Sequence, residues 1–210
     1  MKLKWIVLDW GGVLIENPAL TLVQNCAKQL QREVSFVKEY VDANIESFQA
    51  GQVTEEEFWL RMDSGIELPN DINEASGSIW YRAAREEFKL HKSVVKAIEL
   101  WKGRGIHLGF LSNTEKSAGF HFFESGWSNW FEEKVLSYEC HLLKPEKEIY
   151  QELLDTIKCE PQEVLFLDDK EENVTGAKEF GIHSWQFTSE ADFEKLVRQL
   201  EENQYEYVDL

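Results

Sequence analysis

The sequence is poor in cysteine, in cations and in long apolar runs, and each shortage removes a class of protein. Only 3 Cys occur among the 210 residues, at positions 26, 140 and 159 with no CxxC spacing. Neither a disulfide framework nor a zinc knuckle is supported, and buried reduced thiols are expected. Lys and Arg together number 22 against 39 Asp and Glu, a formal charge of −17. A reader of the phosphate backbone rests on clustered cations, so no nucleic-acid partner is expected. No stretch approaches the roughly 18 apolar residues of a membrane span. The N-terminal run MKLKWIVLDWGGVL is interrupted by Asp9 and Gly11, so a soluble, cytoplasmic protein without a membrane partner is expected. The five His show no HxxxH pattern and receive no ligand role. Internal repeats and low-complexity linkers are also missing.

Apolar material is plentiful: 43% of residues are hydrophobic and 8 are Trp, enough for a full core and far from the signature of disorder. The length suits one domain or one domain with an insertion. Leu3 to Leu8 reads as a buried strand that ends at Asp9 and a Gly pair. From Pro18 to about Phe88 the period becomes helical, through Leu22, Val23, Ala27 and Leu30, then Phe36, Val37, Tyr40 and Val41, then Phe58, Trp59 and Met62. Thr54 and Glu57 have capping-box spacing. So much helix without a strand is too long for a single crossover, and a helical insertion packed on itself is expected.

Beyond it the pattern alternates. A helix through Val94, Ile98 and Trp101 stops at Gly103 and Gly105. The strand Ile106 to Leu111 leads into Ser112-Asn113-Thr114, followed by a helix over about 115–125 and a short strand over 134–137. A helix over 146–157, a strand over 163–167, a helix over 171–180 and a strand near 183–187 complete the series, and the tail from Glu201 onward is expected to fray. Alternation of this kind predicts a parallel sheet with helices on both faces and ligands beyond the carboxyl ends of its strands.

Three strand ends carry polar residues that packing does not need there: Asp9, Ser112-Asn113-Thr114 and Asp168-Asp169. Lys144-Pro145 stands at the expected start of a helix, where Pro suits the first turn and a cation is badly placed for the dipole. Asp9 can cap a turn, and the Asp pair can cap the following helix. Their occurrence together with Ser112 and Lys144 favours chemistry. Phe58, Trp59, Trp80 and Tyr81 are read first as core, with a sugar-binding face as the alternative.

VLDWGGVL, FLSNT, LLKPEKEIY and FLDDKEENVTGAKEFGI stand in the order of the four motifs of the haloacid dehalogenase-like hydrolase superfamily, which the chain resembles along its whole length. The phrases around SYECHLLKPEKEIYQ and VLFLDDKEENVTGAKEFGIHS look most like a bacterial branch that includes a glucose 1-phosphate phosphatase. The resemblance implies an α/β fold: a Rossmann-like parallel core over 1–16 and 89–210, and an inserted four-helix cap over 17–88. It implies a magnesium-dependent phosphatase acting on a small phosphorylated metabolite through an aspartyl-phosphate. Asp9 would be the nucleophile. Ser112 and the backbone amide of Asn113 would hold phosphate oxygens, and Lys144 would neutralise nucleophile and phosphoryl group. Mg2+ would be held by Asp9, the Gly11 carbonyl and Asp169, with Asp168 as ligand or in support and Asn173 orienting a bound water. Mg2+ and Lys144 together would balance the three carboxylates.

Gly11 departs from the pattern, because most phosphatases of the superfamily carry there a second Asp that protonates the leaving group. The branch named above also tends to have Gly, and Glu16 is a nearby acid whose default is a solvated loop position. Two alternatives remain: a haloacid dehalogenase that works without metal, and a catalytically silent binding protein.

Overall fold

The computed structural model describes residues 2–85 and 87–206. Five parallel strands stand in the order β3-β2-β1-β4-β5: β1 Trp5–Leu8, β2 His107–Ser112, β3 Glu133–Leu136, β4 Val164–Asp168 and β5 His183–Gln186. The expected Rossmann-like α/β core is therefore present. Central β1 pairs with β2 from Trp5 opposite His107 to Leu8 opposite Phe110, and with β4 from Trp5 opposite Val164 to Leu8 opposite Leu167.

Side-chain alternation divides the interior in two. Ile6, Leu8, Leu108, Phe110, Leu165 and Leu167 face a large core shared with α5 (Lys92–Gly103), α6 (Lys116–Glu124) and α10 (Glu190–Glu202). Trp5, Val7, Leu111, Val135 and Phe166 face a smaller one beneath α8 (Lys147–Ile157) and α9 (Glu171–Glu179). Both faces are covered, which is why these strands read as continuous apolar runs.

Between β1 and α5 lie four helices: α1 (Ala19–Leu30), α2 (Val34–Gln49), α3 (Glu55–Met62) and α4 (Ile79–Ala84). Helix α1 packs on α2 and α4, and α4 on α6 of the core. The capping box of α3 forms, with the Glu57 amide donating to Thr54 Oγ1 at 3.2 Å and the Thr54 amide to Glu57 Oε2 at 2.9 Å. Glu55, buried at the start of α3, accepts from Trp59 Nε1, the Trp80 amide, Ser78 Oγ and Ser117 Oγ. That carboxylate ties three helices together, the last of them in the core.

Several expectations are corrected. Helix α10 was not anticipated, although Ser189 caps it by accepting from the Asp192 amide and Phe193, Leu196 and Leu200 form its buried stripe. Nor does the tail fray through Glu206: the Leu3 amide donates to the Tyr205 carbonyl at 2.8 Å, and Tyr205 is buried. Residues 207–210 of that tail lie outside the described residues. Helix α8 begins only at Lys147, with Glu146 as N-cap, so Pro145 precedes the helix rather than opening it, and the Lys144-Pro145 peptide is cis. Of the thiols only Cys26 is buried; Cys140 and Cys159 are half-exposed, and all three are free. No helix among the described residues is long and apolar enough to cross a membrane.

Candidate active site

Strand order and connectivity place a crevice where the chain turns from the β2 side of β1 to the β4 side, the position at which open α/β sheets take ligands. Asp9 leaves β1 on one side of it and Asp168 ends β4 on the other. The Asp9 amide donates to the Leu167 carbonyl at 2.9 Å, which continues the ladder by one residue and locks the two acids in register.

Lys144 lies between them. Its Nζ is 2.7 Å from Asp9 Oδ1, 2.6 Å from Asp168 Oδ2 and 2.9 Å from the Leu111 carbonyl, with the ring of Phe166 5.2 Å away. Only 4% of the residue is exposed. A cation so deeply buried stays charged only with such partners. Burial pulls its pKa down, but the Asp168 and Asp9 charges outweigh that and raise it. Its backbone is clamped as well: Asn113 Oδ1 accepts from the Lys144 amide and Asn113 Nδ2 donates to the Lys144 carbonyl, both at 2.9 Å. The Asn113 side chain is thus committed to Lys144.

Asp168 is fully buried and fully engaged. Oδ1 accepts from the Lys170 amide at 2.9 Å and Asn173 Nδ2 at 3.0 Å; Oδ2 accepts from Lys144 and from Asn173 Nδ2 at 3.1 Å. Helix α9 has Lys170 as its N-cap residue, so neither Asp of the pair caps it in that sense. Asp169 differs sharply, since its buried Oδ1 has no hydrogen-bond partner among the described residues. Asp9, Asp168 and Asp169 each present an oxygen within 4.8 Å of the others. Burial, then the Asp168 charge, pushes the Asp169 carboxyl up. Burial likewise pushes Asp9 up to about 7, with Lys144 pulling it down and Asp168 adding to the rise. Two hard oxygen donors, Asp9 and Asp169, the latter with a buried atom unpaired, beside a fully engaged third carboxylate suit a small divalent cation, so the residues fit the magnesium that the resemblance implies.

A cleft of about 500 Å3 opens from Asp9 toward the four-helix segment, lined by Asp9, Gly11, Ser112, Asn113, Lys144 and Asn173, with Asp168 and Asp169 behind its wall rather than in it. Gly11 presents no side chain there, and a Cβ at that position would meet nothing within 4 Å. Glu16 is exposed and does not line the cleft. Phe58 and Trp59 are wholly buried in the core, away from the cleft; Trp80 is buried and reaches its wall, and Tyr81 donates its hydroxyl to Glu124.

Two residues that the motifs did not single out also shape the site. Ser137 Oγ accepts from the Thr114 amide at 2.8 Å and donates to the Gln49 carbonyl at 2.6 Å, which pins the loop after β2 to the end of α2. Glu115, 4% exposed, accepts from Gln49 Nε2 at 2.9 Å and lines the cleft. Burial pushes its carboxyl up to about 7, against hydrogen bonds from Gln49 and Trp80. Both owe their places to tertiary contacts with the helical segment, and no local spacing marks them.

The chain is similar to known proteins in sequence and in fold. A sequence model of the haloacid dehalogenase-like hydrolases matches residues 3–181. Enolase-phosphatase E1 of Aquifex aeolicus is 27% identical over 161 residues, covering 68% of each chain. The bifunctional epoxide hydrolase 2 of Rattus norvegicus is 24% identical over 201 residues, 87% of this chain but 36% of that protein, so the chain spans about a third of the relative's length. A family enzyme of Bacteroides thetaiotaomicron, crystallised with magnesium and inorganic phosphate, superposes with a TM-score of 0.72 at 22% identity over 88% of this chain and 93% of its own.

Proposed function

The chain belongs to the haloacid dehalogenase-like hydrolases, and on that premise we propose that it is a magnesium-dependent phosphatase that cleaves a small phosphorylated metabolite through an aspartyl-phosphate at Asp9. The observation that carries this reading is the unpaired, buried Asp169 Oδ1 in a cluster of three carboxylates, one of which, Asp9, lines an open cleft. A dehalogenase that works without metal has no use for that oxygen.

Asp169, Asp9 and the Gly11 carbonyl would hold the ion; Asp168, whose oxygens each already accept two hydrogen bonds, supports it from outside the ligand set. Bound there, Mg2+ would supply positive charge against the phosphoryl oxygens and lower the cost of bringing an anion to an acidic site. Lys144 holds Asp9 Oδ1 and so fixes the rotation of the carboxylate. Asp9 attacks phosphorus, the bond to the ester oxygen breaks, and the departing alkoxide takes a proton from solvent water, which the attacking water of the second step returns on losing its own. Water then attacks the aspartyl-phosphate, releasing phosphate and restoring the carboxylate. Ser112 and the Asn113 amide bind phosphate oxygens beside β2, and Asn173, which also donates to Asp168, would orient a water bound at the metal site.

Support for phosphatase chemistry also comes from the enolase-phosphatase relative and from the neighbour bound to magnesium and phosphate. Gly11, which brings no acid to the leaving group, favours the second reading, a silent binding protein. Phosphate release from a panel of monoesters, measured with EDTA and then with excess Mg2+, decides among the readings. Turnover restored by Mg2+ is expected. Halide release from a 2-haloacid in EDTA would point to the dehalogenase instead, and magnesium binding without hydrolysis to the silent protein.

A further inference from the structure

Beyond the acids, the walls of the cleft change character. Leu20, Val23, Val41, Ile45, Trp80 and Phe88 line the half that faces α1, α2 and α4. Leu20 is 61% exposed and continues this apolar lining to the surface. The polar groups in this half are already paired. Lys38 forms an ion pair with Asp42 one turn along α2, and Gln49 donates to Glu115. A polyol transferred into such a pocket loses its water and finds few free partners, whereas hydrocarbon gains by every methylene removed from water.

Charge narrows the class further. Among the described residues the cations that line the cleft are Lys38, Lys144 and Lys170. Lys144 is engaged by Asp9 and Asp168, Lys170 lies next to the metal-site acids, and Lys38 is neutralised by Asp42. In the apolar half, a second anionic group on the ligand would meet Asp42, and among the described residues the cation lining that half is Lys38, already paired with it.

We propose that the ester cleaved at Asp9 is the monophosphate of a predominantly hydrocarbon alcohol carrying no second anionic group. This rests on the phosphatase reading, and it departs from the sugar phosphate that the motif wording implies. The phosphoryl end sits against the acids and Lys144, and the hydrocarbon lies between α1 and α2 under Leu20.

The test uses the magnesium-saturated protein with methyl, n-butyl and n-hexyl phosphate, glucose 6-phosphate and fructose 1,6-bisphosphate, all primary alkyl esters at the bond cleaved or at one of two such bonds. Released phosphate is measured. In parallel, calorimetry compares the binding of methylphosphonate and n-hexylphosphonate, and both assays are repeated on Leu20→Asp, a substitution at an exposed position that the fold tolerates. The expected result is a kcat/KM at least tenfold higher for hexyl than for methyl phosphate, higher for hexyl than for either sugar ester, and a ratio cut severalfold by Leu20→Asp. A flat alkyl series, a preference for a sugar ester, or a chain-length effect indifferent to Leu20→Asp would overturn the proposal while leaving the phosphatase intact. If no ester is turned over, the phosphatase reading fails and the phosphonates decide: tenfold tighter binding of the hexyl compound keeps the apolar site, and equal binding removes it.

Discussion

Gly12 and Asp169 approach so closely that a Cβ on the glycine would stand 2.3 Å from Asp169 Oδ2 and 2.4 Å from its Cγ. Gly12 also holds φ at +84°, a region that L side chains avoid. The turn after β1 is therefore shaped around the carboxylate that the magnesium reading needs most. Gly12→Ala should displace Asp169, weaken Mg2+ binding by tenfold or more, and cost about 1–3 kcal/mol of stability. Magnesium calorimetry and urea unfolding check both, and unchanged magnesium affinity would take Asp169 out of the ligand set.

Asp9→Asn keeps the shape of the side chain and removes its charge, so turnover should vanish while the fold persists. Circular dichroism establishes folding and phosphate release establishes loss. Retention of most of the rate would exclude covalent chemistry at Asp9.

Lys144→Ala should be far more disruptive than a surface lysine change. It leaves Asp9 and Asp168 buried without their shared cation, a loss of about 3–5 kcal/mol in comparable buried pairs. Added Mg2+ should recover part of that stability by shielding Asp9. A midpoint of denaturation within error of the parent would show that the pair contributes nothing net.

Gly11→Asp should fold with little penalty, because its Cβ meets nothing within 4 Å and its φ is not positive. The new carboxyl faces the cleft beside the nucleophile. Turnover of alkyl phosphates, which need a proton on the leaving oxygen, should rise by roughly tenfold or more, with little gain for p-nitrophenyl phosphate. Equal gains on both, or none, would mean that leaving-group protonation does not limit the parent.

Glu115 supplies a test by pH. Its folded-state pKa is raised from 4.5 to about 7 by burial, so the native state holds a proton that the unfolded chain gives up. That stabilisation is complete below about pH 4.5 and is lost as pH rises through about 7, a downward slope worth on the order of 2–3 kcal/mol. Asp9 adds a slope of the same sign in the metal-free protein. In EDTA, Glu115→Gln should flatten the decline between pH 4.5 and 8 and leave the portion due to Asp9. An identical profile in the variant would show that Glu115 stays ionised in the fold.

The division of labour between sequence and tertiary structure follows from distance along the chain. Strands β1, β2 and β4 were legible because each is a short apolar run closed by polar residues, and the capping box at Thr54 and Glu57 because its hydrogen bonds span only three residues. Asp9, Ser112, Asp168 and Asp169 stand at or just beyond strand ends, where parallel register must gather them at one edge, and Lys144 and Asn173 were named from the motifs that precede α8 and open α9. Helix α10 carried its stripe and its Ser189 cap in plain view between the last strand and the tail. What no spacing contains is how the donors are shared out. Asp168 and Asp169 are adjacent acids in the sequence, yet one accepts four hydrogen bonds and the other keeps a buried oxygen unpaired. The same holds for Glu55 and Glu115, whose burial against Trp59 and Gln49 no local spacing marks. Local pattern sets which segments are helix or strand, because those hydrogen bonds close within a few residues; burial, and with it the charge, pairing and reactivity of each acid, depends on atoms that only the folded chain brings within reach.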